Sequence, residues 1–162
     1  LGVTAYNVYV WSPNRVSMPG TEANAMKNYY PGDMYVDWLG VSCYPPSLSA
    51  TYPEERRYPL TLMQGIKQVS ADKPIMISEG GYSSTCAHQR WVRESYKLKD
   101  EEPRINAVVW ENHENAENGD RRLQSDPLAL ELYKELVQDP YWLDLIPDAV
   151  YSEIETRKNN SK

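Results

Sequence analysis

The sequence predicts an α/β fold built on a parallel sheet, with the arrangement of half of a (β/α)8 barrel. Three observations predict it. A strand-then-helix alternation runs four times along the chain. The strands have one apolar and one mixed face, unlike the uniformly apolar strands of an open sheet covered on both sides. Finally, Lys73-Pro74-Ile75-Met76-Ile77-Ser78-Glu79-Gly80-Gly81 delivers a single carboxylate at a strand end, followed by two glycines that free the backbone to turn. In parallel α/β proteins that edge is where ligands bind. A whole barrel takes about 250 residues, so 162 residues fit half of one.

The elements follow in order. Asn7-Val8-Tyr9-Val10-Trp11 is rich in β-formers and stops at the turn signal Ser12-Pro13-Asn14. A helix is predicted from Thr21, an N-cap type, through Ala23, Met26 and Tyr29, until Tyr30-Pro31-Gly32-Asp33 breaks it. Asp37 to Tyr44 reads as the second strand, with Trp38, Gly40, Ser42 and Tyr44 on one face and Leu39, Val41 and Cys43 on the other. Pro59 opens a second helix whose Leu62, Met63, Ile66 and Val69 have helical spacing.

The third strand ends at Glu79. A helix starting near Ser84 or Thr85 carries Ala87, Trp91, Val92 and Tyr96 on one face. Arg104 to Trp110 is the fourth strand, and Asp126-Pro127 caps a last helix bearing Leu128, Leu132 and Leu136. Residues 1–142 thus read as half a barrel, and residues 143–162 as a partly disordered tail. Right-handed crossovers are the rule for such units.

Composition narrows the function classes. A net charge of −6 with no basic block argues against nucleic acid and anionic membrane as partners. No apolar run approaches spanning length, and no phosphate-binding glycine motif follows a strand. The chain starts with Leu and a strand follows within a few residues, so it reads as a piece of a longer protein. Cys43 and Cys86 lack metal-site spacing and read as two separate buried thiols or, alternatively, one bridge. No metal or cofactor is expected. The loop from Glu111 to Asp120 is rich in oxygen ligands but lacks the EF-hand pattern.

A carboxylate on a buried strand is costly unless it has work to do, which makes Glu79 the candidate catalytic group. Alternation places Glu79 with Ile75 and Ile77, and Trp110 with Val108 and Asn106. If those faces point inward, one rim gathers Glu79, Tyr44, Trp110 and Trp11. Aromatic faces beside a carboxylate suit a sugar ring. A helix-capping acid, or one paired with Arg90, is the plainer reading of Glu79. Packing is the plainer reading of the aromatics, above all Trp38, Trp91 and Trp142. His88 reads as a solvated or capping residue, and His113 as a loop residue within reach of a substrate hydroxyl.

The blocks Asn7-Val8-Tyr9-Val10-Trp11-Ser12-Pro13-Asn14, Tyr30-Pro31-Gly32-Asp33 with Tyr35 to Val41, and Lys73 to Gly81 resemble glycoside hydrolase family 26. This is the β-mannanase family of retaining (β/α)8 enzymes, and the resemblance covers its strands five to eight. It implies that Glu79 is the nucleophile, that Tyr44 orients it, and that Trp110 floors the sugar subsite. Trp11 and Asn14 then lie in a cleft-shaping loop. It also implies a secreted or cell-surface hydrolase of β-linked polysaccharide with no cofactor.

Retaining hydrolysis needs a second carboxyl about 5–5.5 Å from the first. In the family this acid/base glutamate follows a histidine at the end of strand four, and nothing in residues 1–162 corresponds to that strand. Glu111 should turn away from the site if Trp110 faces it, and Glu114, Glu117 and Asp120 read as loop acids. The chain alone is therefore expected to be inactive. Its partners would be a β-glycan and either the missing amino-terminal half of the barrel or a second copy closing its open edges. A non-catalytic carbohydrate-binding or scaffold protein on a degenerate barrel is the alternative, and a lyase or isomerase using Glu79 as a base is a third reading.

Overall fold

The computed structural model describes residues 7–44, 63–82, 85–115 and 119–142; the side chains of residues 85–87 and 115 are outside the description. Four parallel strands form one sheet: β1 (Val10–Trp11), β2 (Trp38–Cys43), β3 (Ile75–Gly80) and β4 (Ile105–Trp110). Their spatial order is their chain order. Consecutive parallel strands with helical connections are the strand order of half a (β/α)8 barrel. The helices are α1 (Gln64–Lys67), α2 (Thr85–Lys97) and α3 (Pro127–Leu136). A two-stranded antiparallel hairpin, β5 (Glu114–Asn115) and β6 (Gly119–Asp120), follows β4. Among the described residues no helix is long and apolar enough to cross a membrane.

The apolar face of each strand forms the core under the helices. Leu39, Val41 and Cys43 of β2, Ile75 and Ile77 of β3 and Ile105 of β4 are fully buried. They pack with Met63 and Ile66 at α1 and with Trp91 of α2. Each such aliphatic side chain contributes about 1.5–3 kcal/mol on burial. Cys43 is a free thiol whose pKa burial pushes up to about 12. The side chain of Cys86 lies outside the described residues, as do Pro59 and Leu62 and the tail, 143–162.

Three local readings need correction. Thr21 to Tyr29 is not an α-helix but two 3-10 segments, Glu22–Asn24 and Met26–Tyr29, separated by the extended Ala25. The amide of Asn28 donates to the carbonyls of Glu22 (2.9 Å) and Ala23 (3.1 Å), an alternative to the helical ladder. The first strand is shorter than read, because the Tyr9 N–H donates to the Asp37 carboxylate (2.8 Å) instead of a strand partner. Leu128 is 67% exposed rather than core-facing. The inward stripe of α3 is centred on the buried Ala129, and a neighbouring residue is turned away by about 100°.

The end of the described chain is pinned beneath β4. The Tyr141 hydroxyl proton lies within reach of the Ile105 carbonyl (2.8 Å) and Asn106 Oδ1 (2.7 Å). Trp142 packs edge-on against Tyr96, with ring centroids 5.5 Å apart.

Candidate active site

Glu79 reaches the site through a slip in strand register. β2 and β3 pair as Leu39 with Ile75, Gly40 with Met76 and Val41 with Ile77, but the next pair is Ser42 with Glu79. Ser78 is the extra residue. Laterally paired residues point to the same side of a sheet, so the slip moves Glu79 off the face of Ile75 and Ile77 and onto that of Ser42. This corrects simple alternation, which put Glu79 with the two isoleucines. Those isoleucines are buried under the helices, whereas Glu79 is exposed. Ser78 is held at the bulge by a 2.6 Å hydrogen bond between its Oγ and that of Ser12.

Two hydroxyls serve the carboxylate. Ser42 Oγ donates to Glu79 Oε2 at 3.1 Å. Tyr44, just past the end of β2, also hydrogen-bonds to Glu79. Its phenol pKa is raised, first by burial, then by the bond to Glu79 and by that group's negative charge; Arg121 opposes the shift. Tyr44 is therefore a neutral donor throughout the physiological range. Asn14 forms a parallel bridge with Ser42, so Asn14, Ser42 and Glu79 stand at one level across the sheet edge.

The segment after β4 closes the far side. Glu111, 15% exposed, is ion-paired with Arg121, and its other oxygen lies 3.3 Å from His113 Nδ1. The Arg121 guanidinium carbon lies 4.5 Å from the centroid of the Tyr44 ring. Asp120 is tied to Arg122, whose hydrogen bonds lower its pKa to about 2. Gly119, which opens β6, takes φ +77°, a backbone conformation that favours glycine.

The structure distributes the remaining candidates differently from the sequence reading. Trp110 packs with Val92, Leu123 and Ala129 among the helices, stacks on His88 at 5.4 Å, and donates through Nε1 to the Arg121 carbonyl (2.9 Å). Glu111, not Trp110, joins the group around Tyr44, the reverse of the orientation that alternation gave. His88 is accordingly a buried partner of Trp110, 2% exposed, rather than a solvated residue. Trp11 pairs with the buried Leu39 and meets Tyr30 edge-on at 5.1 Å, so it sits on the core side of β1.

Ser42 and Arg121 were missed as site residues. Ser42 had a signal, since it shares the mixed face of β2 with Tyr44. Arg121 had none, because its contact with Tyr44 joins distant parts of the chain.

Chemically, the site offers an accessible carboxylate oriented by two neutral donors, beside a cation neutralised by a second carboxylate. Such a group can attack an electrophilic carbon or accept a proton. Among the described residues no three His, Cys, Asp or Glu side chains converge as metal ligands.

No family model matches the chain. It is 29% identical over 113 residues to Endoglucanase H of Acetivibrio thermocellus; the match covers 67% of this chain and 12% of that protein. Among solved structures it is similar to a Cellulomonas fimi endo-beta-1,4-mannanase double mutant at 22% identity. That superposition covers 84% of this chain and 31% of the other, with a TM-score of 0.49.

Proposed function

We propose that this chain is part of a retaining endo-β-glycosidase of the family 26, β-mannanase-like type, in which Glu79 attacks the anomeric carbon of a β-linked polysaccharide. The observation that carries the reading is the placement of Glu79: exposed at the carboxyl edge of a parallel sheet, on one face with Ser42, and hydrogen-bonded by Ser42 and Tyr44. The sequence similarity to an endoglucanase supports it. The Ser42 and Tyr44 bonds fix the carboxylate oxygens, so that attack needs little reorganisation. Asn14 and His113 stand where they can bind substrate hydroxyls. Trp110 and Trp11 support the site from the helix side. A polymeric substrate places the reaction outside the cell or at its surface.

The reaction needs a second carboxyl to protonate the leaving oxygen. Glu111 is bound to Arg121, and Glu114 is paired with Arg122 at 3.0 Å. We assign the acid/base role to a glutamate outside residues 1–162, contributed by the other half of the barrel. Engagement of Glu111 and Glu114 also favours a second reading, a non-catalytic carbohydrate-binding or scaffold protein on a degenerate barrel.

The test uses an enzyme carrying this segment, with Glu79→Ala and added azide. Rescue that yields the inverted glycosyl azide identifies Glu79 as the nucleophile. Hydrolysis left unchanged by Glu79→Ala would sink the proposal. Glycan binding measured by calorimetry, with no turnover by the unsubstituted enzyme, would favour the second reading.

A further inference from the structure

Arg121 is more firmly built into the site than a surface arginine requires. Its N–H donates to the His113 carbonyl (3.1 Å), and its own carbonyl accepts from Trp110 Nε1 (2.9 Å). Its side chain runs past Gly81, where a Cβ would sit 3.4 Å from Arg121 Cδ and 3.3 Å from the Glu111 carbonyl oxygen. The arginine stem thus packs within van der Waals reach of the second glycine of the Glu79-Gly80-Gly81 run, whose tighter neighbour is the Glu111 carbonyl. The guanidinium then covers the Tyr44 ring at 4.5 Å while pairing with Glu111. The arginine and glutamate side chains are only 14% and 15% exposed.

Holding two charges at that exposure costs desolvation, which pairing and the ring's electron-rich face offset. Glu111 has a further consequence. An unpaired guanidinium over the Tyr44 ring would compete for the carboxylate that Tyr44 holds, and Glu111 gives it another partner. What remains is a cation that presses on the Tyr44 ring while leaving Glu79 exposed.

We propose that Arg121 is a positioning residue for the nucleophile, acting through Tyr44: it clamps the phenol ring so that its hydroxyl stays on Glu79. This inference rests on the glycosidase reading above.

The test is covalent labelling of an enzyme carrying this chain by a dinitrophenyl glycoside with fluorine beside the anomeric carbon, in manno and gluco forms. A Glu79 oxygen bonds to the anomeric carbon, and dinitrophenolate leaves with the electron pair of the broken bond. No proton is needed, so no acid/base partner is needed. Labelling rates are compared for the unsubstituted enzyme, Arg121→Met, Arg121→Lys, Tyr44→Phe and the Arg121→Met/Tyr44→Phe double variant, with melting curves for each.

A cation–ring contact of ordinary strength corresponds to a rate loss of about three- to tenfold in Arg121→Met. Arg121→Lys should recover part of it. In the Tyr44→Phe background, where the ring remains but the hydroxyl is gone, Arg121→Met should cost little more. A merely structural role would instead give additive losses, and additivity overturns the inference. So does equal labelling of Arg121→Met and the unsubstituted enzyme, with the glycosidase reading left standing. No adduct on Glu79 in the unsubstituted enzyme overturns both. If Arg121→Met does not fold, the comparison of Arg121→Lys with and without Tyr44→Phe decides by the same rule.

Discussion

Ser42 and Glu79 are register partners across β2 and β3, joined by a 3.1 Å hydrogen bond, only because Ser78 is skipped in the pairing. Without the bulge, Ser78 would be the partner of Ser42 and Glu79 would face the helices. The site thus depends on one extra residue held by Ser12. Ser12→Ala and Ser78→Ala should each cost about 0.5–1.5 kcal/mol and slow labelling of Glu79. Deletion of Ser78 should abolish labelling while leaving the circular-dichroism spectrum of the sheet recognisable.

Gly40 gives a second test of the same region. A Cβ there would lie 2.7 Å from the Ser12 Cβ and 2.9 Å from Val10 Cγ1. Gly40→Ala should destabilise the chain by about 1–3 kcal/mol, measured by denaturant titration, and should separate β1 from β2. A variant as stable as the original would contradict the close approach of Ser12.

Asp126 caps α3 by accepting from the Leu128 and Ala129 N–H groups, both at 3.1 Å. Asp126→Ala should cost about 1–2 kcal/mol. Asp126→Asn or Asp126→Ser should recover most of it. Equal loss in all three would mean that charge, not capping, is what matters.

Acid should weaken the fold at an identifiable place. Hydrogen bonds from Arg104, then from Lys67, hold the Glu102 carboxyl at a pKa of about 2, against 4.5 for the ordinary group. A depressed carboxyl contributes stability above its unfolded pKa, and that contribution is lost as pH falls from about 4.5 toward 2. Glu102→Gln should flatten the stability profile across that window. An unchanged slope would show that the ion pair with Arg104 (3.0 Å) carries no weight.

His88 acts in a higher window. Burial, partly opposed by Asp126 and Asp120, lowers its pKa below the ordinary 6.5. Its folded form therefore stays neutral where the unfolded form already binds a proton, so stability declines as pH falls below about 6.5. Fluorescence of Trp110, stacked on His88, should report the change, and His88→Gln should remove it.

Much of the fold was legible because its signals are local. β-rich runs of four to eight residues bounded by Pro and Gly placed β2, β3 and β4 within a residue or two. Asp126-Pro127 marked the start of α3. What failed was side-chain direction. A bulge is set by tertiary contacts such as Ser12 with Ser78, so period-two counting turned Glu79 the wrong way. Register shifts beside β4 likewise left Trp110 among the helices and brought Glu111 to the site. Its place at a strand end singled out Glu79 without giving its face, and the family resemblance implied a role for it without giving the face either. Arg121, a hairpin cation with no motif of its own, became visible only when the fold brought it to Tyr44.

The most direct measurement is the mass of an enzyme carrying this chain after reaction with the fluorinated dinitrophenyl glycoside, followed by peptide sequencing of the adduct. One glycosyl group per chain is expected, esterified to Glu79 and absent from Glu79→Gln. An adduct on another residue, or none at all, would contradict the role assigned to Glu79.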